Sequence, residues 1–131
     1  MRNRQVHLDF HTSGALKVGE KFSKEQFISQ LRNGHIDSIT VFSKCHHGWS
    51  YHPTTVNEMH PGLSFDLLGA QLEACKEAGV NAPVYISAGF DEKDYDTHPE
   101  WRRKHSLDEK ENEERFWWYL TCFCETLDFT K

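Results

Sequence analysis

Histidines, hydroxyls and aromatic rings gather at three places in this sequence, each directly after a short apolar run. Asp9, His11, Thr12 and Ser13 follow the first run; Lys44, Cys45, His46, His47, Gly48, Trp49, Ser50, Tyr51 and His52 follow the second; Ser87, Gly89, Phe90 and Asp91 follow the third. Neutral imidazole can both donate to and accept from a hydroxyl, and an aromatic ring packs against an apolar C–H face, so the mixture suits a sugar, with Trp49 and Tyr51 as the packing rings. The plainer alternative is that the rings cover the rim of the fold and the histidines are solvated.

The same histidines could serve a metal, since imidazole is a common Zn²⁺ ligand and His7, His11, Cys45, His46, His47 and His52 are close in sequence or on adjacent strands. Their spacing is poor for it. Asp9-Phe10-His11-Thr12-Ser13 begins like the Asp-x-His-x-His pattern of metal-dependent amidohydrolase barrels, but Ser13 stands in place of the second histidine. Adjacent His46 and His47 point to opposite sides of an extended chain and meet one ion only across a sharp turn. Cys122-x-Cys124 lacks a second pair, and no metal or other cofactor is expected. Asp91 and Glu92 can reach a pocket after the third run but have no partner identifiable from sequence, whereas Glu73, Glu77 and the acidic cluster from Asp108 to Glu114 read as solvated surface.

These residues are held by alternating elements. Gln5 to Phe10 sets Val6, Leu8 and Phe10 against His7 and Asp9 with period two, which predicts a strand over 5–10. Ser23-Lys24-Glu25-Gln26 has the form of a capping box, and Phe27, Ile28 and Leu31 follow at helical spacing up to Asn33-Gly34. Uncharged Ser38-Ile39-Thr40-Val41-Phe42 predicts a strand over 38–43, buried on both faces by helices. Asp66 caps a second helix carrying Leu67, Leu68, Leu72, Cys75 and Ala78 before Gly79, and Pro83 to Ser87 predicts a strand over 83–87. The order β-α-β-α-β implies parallel strands, in a doubly wound sheet or a (β/α)8 TIM-type barrel.

From Ala88 to Arg115 the chain turns polar and reads as a long surface loop with at most a short helix; the most apolar stretch, Phe116 to Phe123, comes after it. Three parallel strands leave two unpaired edges, and a complete barrel takes about 250 residues. The 131 residues therefore read as a partial N-terminal segment of one (β/α)8 domain, truncated after its third strand.

The net charge of −5, without a dense Lys/Arg patch, argues against nucleic-acid and anionic-membrane partners. The polar start lacks the apolar core of a signal peptide and no run approaches a membrane span, so a cytoplasmic location with four reduced cysteines is expected.

Val41-Phe42-Ser43-Lys44-Cys45-His46-His47-Gly48-Trp49 resembles the Ala-Lys-His-His-Asp-Gly-Phe segment of retaining α-L-fucosidases, and His7-Leu8-Asp9-Phe10-His11-Thr12-Ser13 resembles their first barrel strand, which ends in a sugar-contacting histidine. The match covers about the first hundred residues and is most similar to a bacterial group of fucosidase-related glycoside hydrolases opening with Leu-Asp-Phe-His-Thr-Ser. The resemblance implies that His11, His46 and His47 bind the sugar in the −1 site and that Trp49 shapes its wall. The sequence departs from the pattern at Cys45, and at Gly48 where the fucosidases carry their aspartate. The family's nucleophilic aspartate lies on a fourth strand and its acid/base carboxylate on a later loop. Retaining hydrolysis needs two carboxylates about 5 Å apart, so this chain alone is expected to be inactive, a fragment of a glycosidase acting on a fucose-like carbohydrate. The alternatives are a metal-dependent hydrolase of another barrel family and a self-contained, non-catalytic domain that binds a sugar or a protein partner.

Overall fold

A computed structural model describes residues 3–101. The chain runs β1 (Gln5–His7), α1 (Lys24–Asn33), β2 (Ser38–Lys44), α2 (Leu67–Ala78), β3 (Val84–Ile86) and α3 (Glu92–Thr97), followed by a 3-10 turn at Pro99–Trp101. The strands form one parallel sheet in the order β1-β2-β3. This is a mixed α/β arrangement, with elements where hydrophobic periodicity predicts them. The apolar stretch at 116–123, the acidic cluster at 108–114, the Cys122/Cys124 pair and the second half of the polar loop lie outside the described residues.

Alternation along β2 divides the sheet into two faces. Ile39 and Val41 pack with Leu31 and Phe27 of α1 and with Cys75, Leu68 and Leu72 of α2, so both helices cover the same face. On the other face Phe42 meets the rings of Tyr85, His7 and His11 at centroid separations of 4.3, 5.5 and 5.0 Å. β2 is thus buried on both faces, but by helices on one and by rings from its neighbouring strands on the other. A second cluster, Val18, Cys45, Tyr51, Leu63 and Leu67 with Phe42, fills the space beneath the loops that follow the strands.

β1 is shorter than its alternation predicts. The Leu8 amide still reaches the Thr40 carbonyl (3.3 Å), but beyond it the backbone leaves the ladder: the Phe10 carbonyl and the Thr12 amide bond to the Tyr51 hydroxyl instead. Leu8 consequently joins the helix-side core and Phe10 the loop-side core, rather than sharing one face.

Both helices begin at the residues predicted to cap them. The Ser23 hydroxyl accepts from the Gln26 amide (3.2 Å) and the Asp66 carboxylate from the Gly69 amide (2.7 Å). Both also close with the same pair of backbone bonds: Ile36 to Leu31 with His35 to Arg32, and Val80 to Cys75 with Gly79 to Lys76. The motif needs one residue in the left-handed region. After α2 it is Gly79 at φ 72°; after α1 it is His35 at φ 50°, not the adjacent Gly34, which stays right-handed at φ −77°.

A side chain in that conformation costs about 1 kcal/mol. His35→Gly is therefore expected to stabilise the protein and Gly79→Ala to destabilise it, each by about 1 kcal/mol, measured as shifts in the midpoint of urea unfolding.

Candidate functional site

The three polar clusters meet at the carboxyl ends of β1, β2 and β3, where parallel α/β folds place ligands. Tyr51 does most to assemble them. Its hydroxyl donates to the Phe10 carbonyl (2.8 Å), accepts from the Thr12 amide (3.2 Å) and lies 2.7 Å from the Thr12 hydroxyl, while its own amide donates to the Ser43 carbonyl. The loop after β1 is thereby sewn to the loop after β2. The ring is 1% exposed, so Tyr51 is not a surface on which a sugar could pack, contrary to the expectation from its position in a polar loop. Burial pushes its phenol well above the usual tyrosine range. His60, which the sequence did not single out, does parallel work: buried against the Tyr51 ring, it donates from Nε2 to the Ser13 carbonyl (3.0 Å) and accepts at Nδ1 from the Gly62 amide. No periodic or motif signal marks it.

This framing brings His11 onto His46. Their rings stack at 4.0 Å with planes 22° apart, and the His46 amide donates to His11 Nδ1 (3.2 Å), leaving the proton of neutral His11 on Nε2, toward Asp9 at 3.3 Å. A turn closed by the Gly48 amide on the Cys45 carbonyl then folds His47 back, so that the His46 and His47 rings lie 4.4 Å apart instead of on opposite sides. His11, His46 and His47 form one group. Trp49 stands beside it, half-buried, with the Lys93 ammonium 5.0 Å from its ring centre. A cleft of about 410 Å³ opens between Ser13, Gly14, His47, Trp49, Glu92 and Lys93.

Asp91 and Glu92, without partners in the sequence reading, have them in the structure. Asp91 is 1% exposed; it pairs with Lys44 and caps α3 by accepting from the Asp94 amide (2.8 Å). Burial raises its carboxyl above the usual range against the opposing pull of Lys44. Glu92 bonds through its carboxylate to His47 Nδ1 and through its amide to the His46 carbonyl (2.8 Å). Among the described residues, no three of His, Cys, Asp and Glu converge as they would around a metal ion. Of the histidines considered for one, His52 instead bonds to Ser43 and to the Pro53 carbonyl, and Cys45 is a buried free thiol with Sγ 3.9 Å from the Thr12 carbonyl.

Residues 23–127 match the family described as hypothetical glycosyl hydrolase 6, and the chain belongs to that family. It is also similar to the solved structure of α-L-fucosidase isoenzyme 2 from Paenibacillus thiaminolyticus, at 57% identity and a TM-score of 0.79 over 82% of this chain. The chain spans 16% of that fucosidase's length. No curated protein sequence matches it. Among the described residues, no helix is long and apolar enough to cross a membrane.

Two expectations follow from the geometry. Tyr51→Phe removes a hydroxyl that satisfies the Phe10 and Thr12 backbone groups and should cost about 1 to 3 kcal/mol of unfolding free energy. Burial, and then the neighbouring imidazoles, hold His46 below the ordinary imidazole pKa; for His11 burial likewise dominates, partly offset by Asp9. The unfolded chain takes up protons at these positions before the folded one does, so their contribution to stability is complete above about pH 6.5 and is lost as pH falls below it. Melting curves across that window should show a shallower pH slope in a His11→Gln/His46→Gln variant than in the wild type.

Proposed function

We propose that this chain is the N-terminal portion of a glycoside hydrolase acting on α-L-fucosides or closely related sugars, contributing the first three strands of a (β/α)8 barrel and part of its −1 sugar site. The observation that carries the reading is the convergence of His11, His46 and His47 at adjacent strand ends, in a chain 57% identical to an α-L-fucosidase. The sheet supports the barrel: strands in sequential order with both helices on one face are wound in a single direction, as in a barrel, whereas a doubly wound sheet places helices on both faces.

In this reading the imidazoles bind sugar hydroxyls, and their neutrality matters. A neutral ring offers one donor and one acceptor, matching a hydroxyl, while a charged ring offers donors only. The low proton affinity of His11 and His46 keeps both in the neutral form at neutral pH. Trp49 forms the wall beside His47, and Tyr51 acts from behind by holding the β1 loop.

Retaining hydrolysis also needs a nucleophile and an acid/base about 5 Å apart. Asp91 and Glu92 are engaged with Lys44 and His47, and we assign both catalytic carboxylates to sequence beyond the described residues. The fragment then binds and orients the sugar but does not cleave it.

The test is made on the intact native polypeptide with an aryl α-L-fucoside as substrate and fucose as ligand. Turnover of the fucoside is expected, and His46→Ala or His47→Ala should each weaken fucose binding by about 1 to 3 kcal/mol in titration calorimetry. No hydrolysis of the fucoside, or unchanged binding in both variants, would overturn the reading.

A further inference from the structure

Glu92 touches both members of the His46-His47 pair, one through its backbone and one through its side chain. Its amide donates to the His46 carbonyl at 2.8 Å, which fixes the backbone of the turn; its carboxylate meets Nδ1 of His47, which fixes the rotation of the ring. We infer that Glu92 is a positioning residue for the histidine pair, holding the proton of neutral His47 on Nδ1 and setting the direction of that ring. The inference rests on the reading of these histidines as a sugar site.

The chemistry of the pair carries it. An ionised carboxylate can only accept, so the ring nitrogen facing it must bear a hydrogen. Neutral imidazole has one N–H, and with it on Nδ1 the lone pair is on Nε2. His47 then differs from His11, whose Nδ1 accepts from the His46 amide and whose proton is on Nε2. The two rings on either side of His46 are in opposite tautomers, one set by a carboxylate and the other by a backbone amide.

The placement of Glu92 is built, not incidental. The residue before it, Asp91, is buried, paired with Lys44 at the end of β2 and bonded to the Asp94 amide, so the start of α3 is anchored to the sheet. The turn it approaches carries Gly48 at φ 88°, where a Cβ would come within 2.7 Å of the Asp91 carboxylate and 2.5 Å of Lys93 Cβ. Only a residue without a side chain lets α3 come this close. Lys93, next in the chain, reaches back to Glu58 (2.8 Å) and over Trp49, tying the other side of the same approach.

The experiment is a long-range ¹H–¹⁵N correlation spectrum of the intact protein with ¹⁵N-labelled histidine, at about pH 8, above the ordinary imidazole range. The His47 signal, assigned by its loss in His47→Gln, is expected to show a protonated Nδ1 and an unprotonated Nε2. Glu92→Ala should shift it toward the Nε2–H form and weaken fucose binding about tenfold, while Glu92→Gln, whose amide oxygen still accepts from Nδ1–H, should restore both to within about threefold. A wild-type His47 in the Nε2–H form, or a His47 spectrum unchanged in Glu92→Ala, would overturn the inference. A spectrum that shifts as expected with fucose binding absent in the wild type would keep Glu92 as the positioning residue and overturn the sugar reading instead.

Discussion

The Tyr51 hydroxyl is the interaction on which the arrangement of the strand ends depends. Parallel strands fix where their ends are but not where the loops beyond them go, and the loop after β1 has no sheet partner past Leu8. A single phenol supplies one: it bonds to the Phe10 carbonyl and the Thr12 amide on either side of His11. Because the ring is buried among Val18, Cys45, Leu63 and Leu67, it cannot shift without opening the loop-side core. The position of His11 against His46 is thus set by packing that lies behind the site, and a buried hydroxyl with satisfied partners gives it that precision.

Fold was legible in the sequence wherever the physics was local. Ser23 and Asp66 cap the helices because short polar side chains satisfy free amides in the first turn, and the strands appear where β-branched runs lie between helices. Where the structure differs, distant residues decide. β1 ends three residues short of its alternation, which continues to Phe10, because Tyr51, far along the chain, takes the backbone bonds. α1 does stop at Asn33-Gly34 as its composition predicts; the left-handed residue of the closing motif falls one position later, at His35, where Ile36 packs onto the helix-side core.

The site divides in the same way. His11, His46, His47 and Trp49 could be named because residues just past parallel strands face a common region, and the structure brings them together. Tyr51 has the same sequence position but the opposite role, since side chains in a turn that folds back onto the sheet alternate between core and cleft in a way no period reveals. Asp91 and Glu92 looked alike as adjacent acids in a polar stretch. What separates them is one helical position: the first is turned into the sheet toward Lys44, the second outward onto His47.

The departure from the fucosidase motif at position 48 has a physical account in this arrangement. Where the fucosidase segment reads His-His-Asp-Gly, this chain reads His-His-Gly-Trp, so the glycine arrives one residue earlier. At φ 88° that residue is in a conformation side chains rarely adopt, and the space a Cβ would enter is already taken by Asp91 and Lys93. An aspartate there would collide with the start of α3. With α3 seated, a carboxylate still stands at the edge of the turn, but it belongs to Asp91 and comes from the end of β3 rather than from the turn itself. Glycine at this position therefore goes with the docked helix: with a side chain at 48, α3 would have no room to bring Glu92 to the histidines.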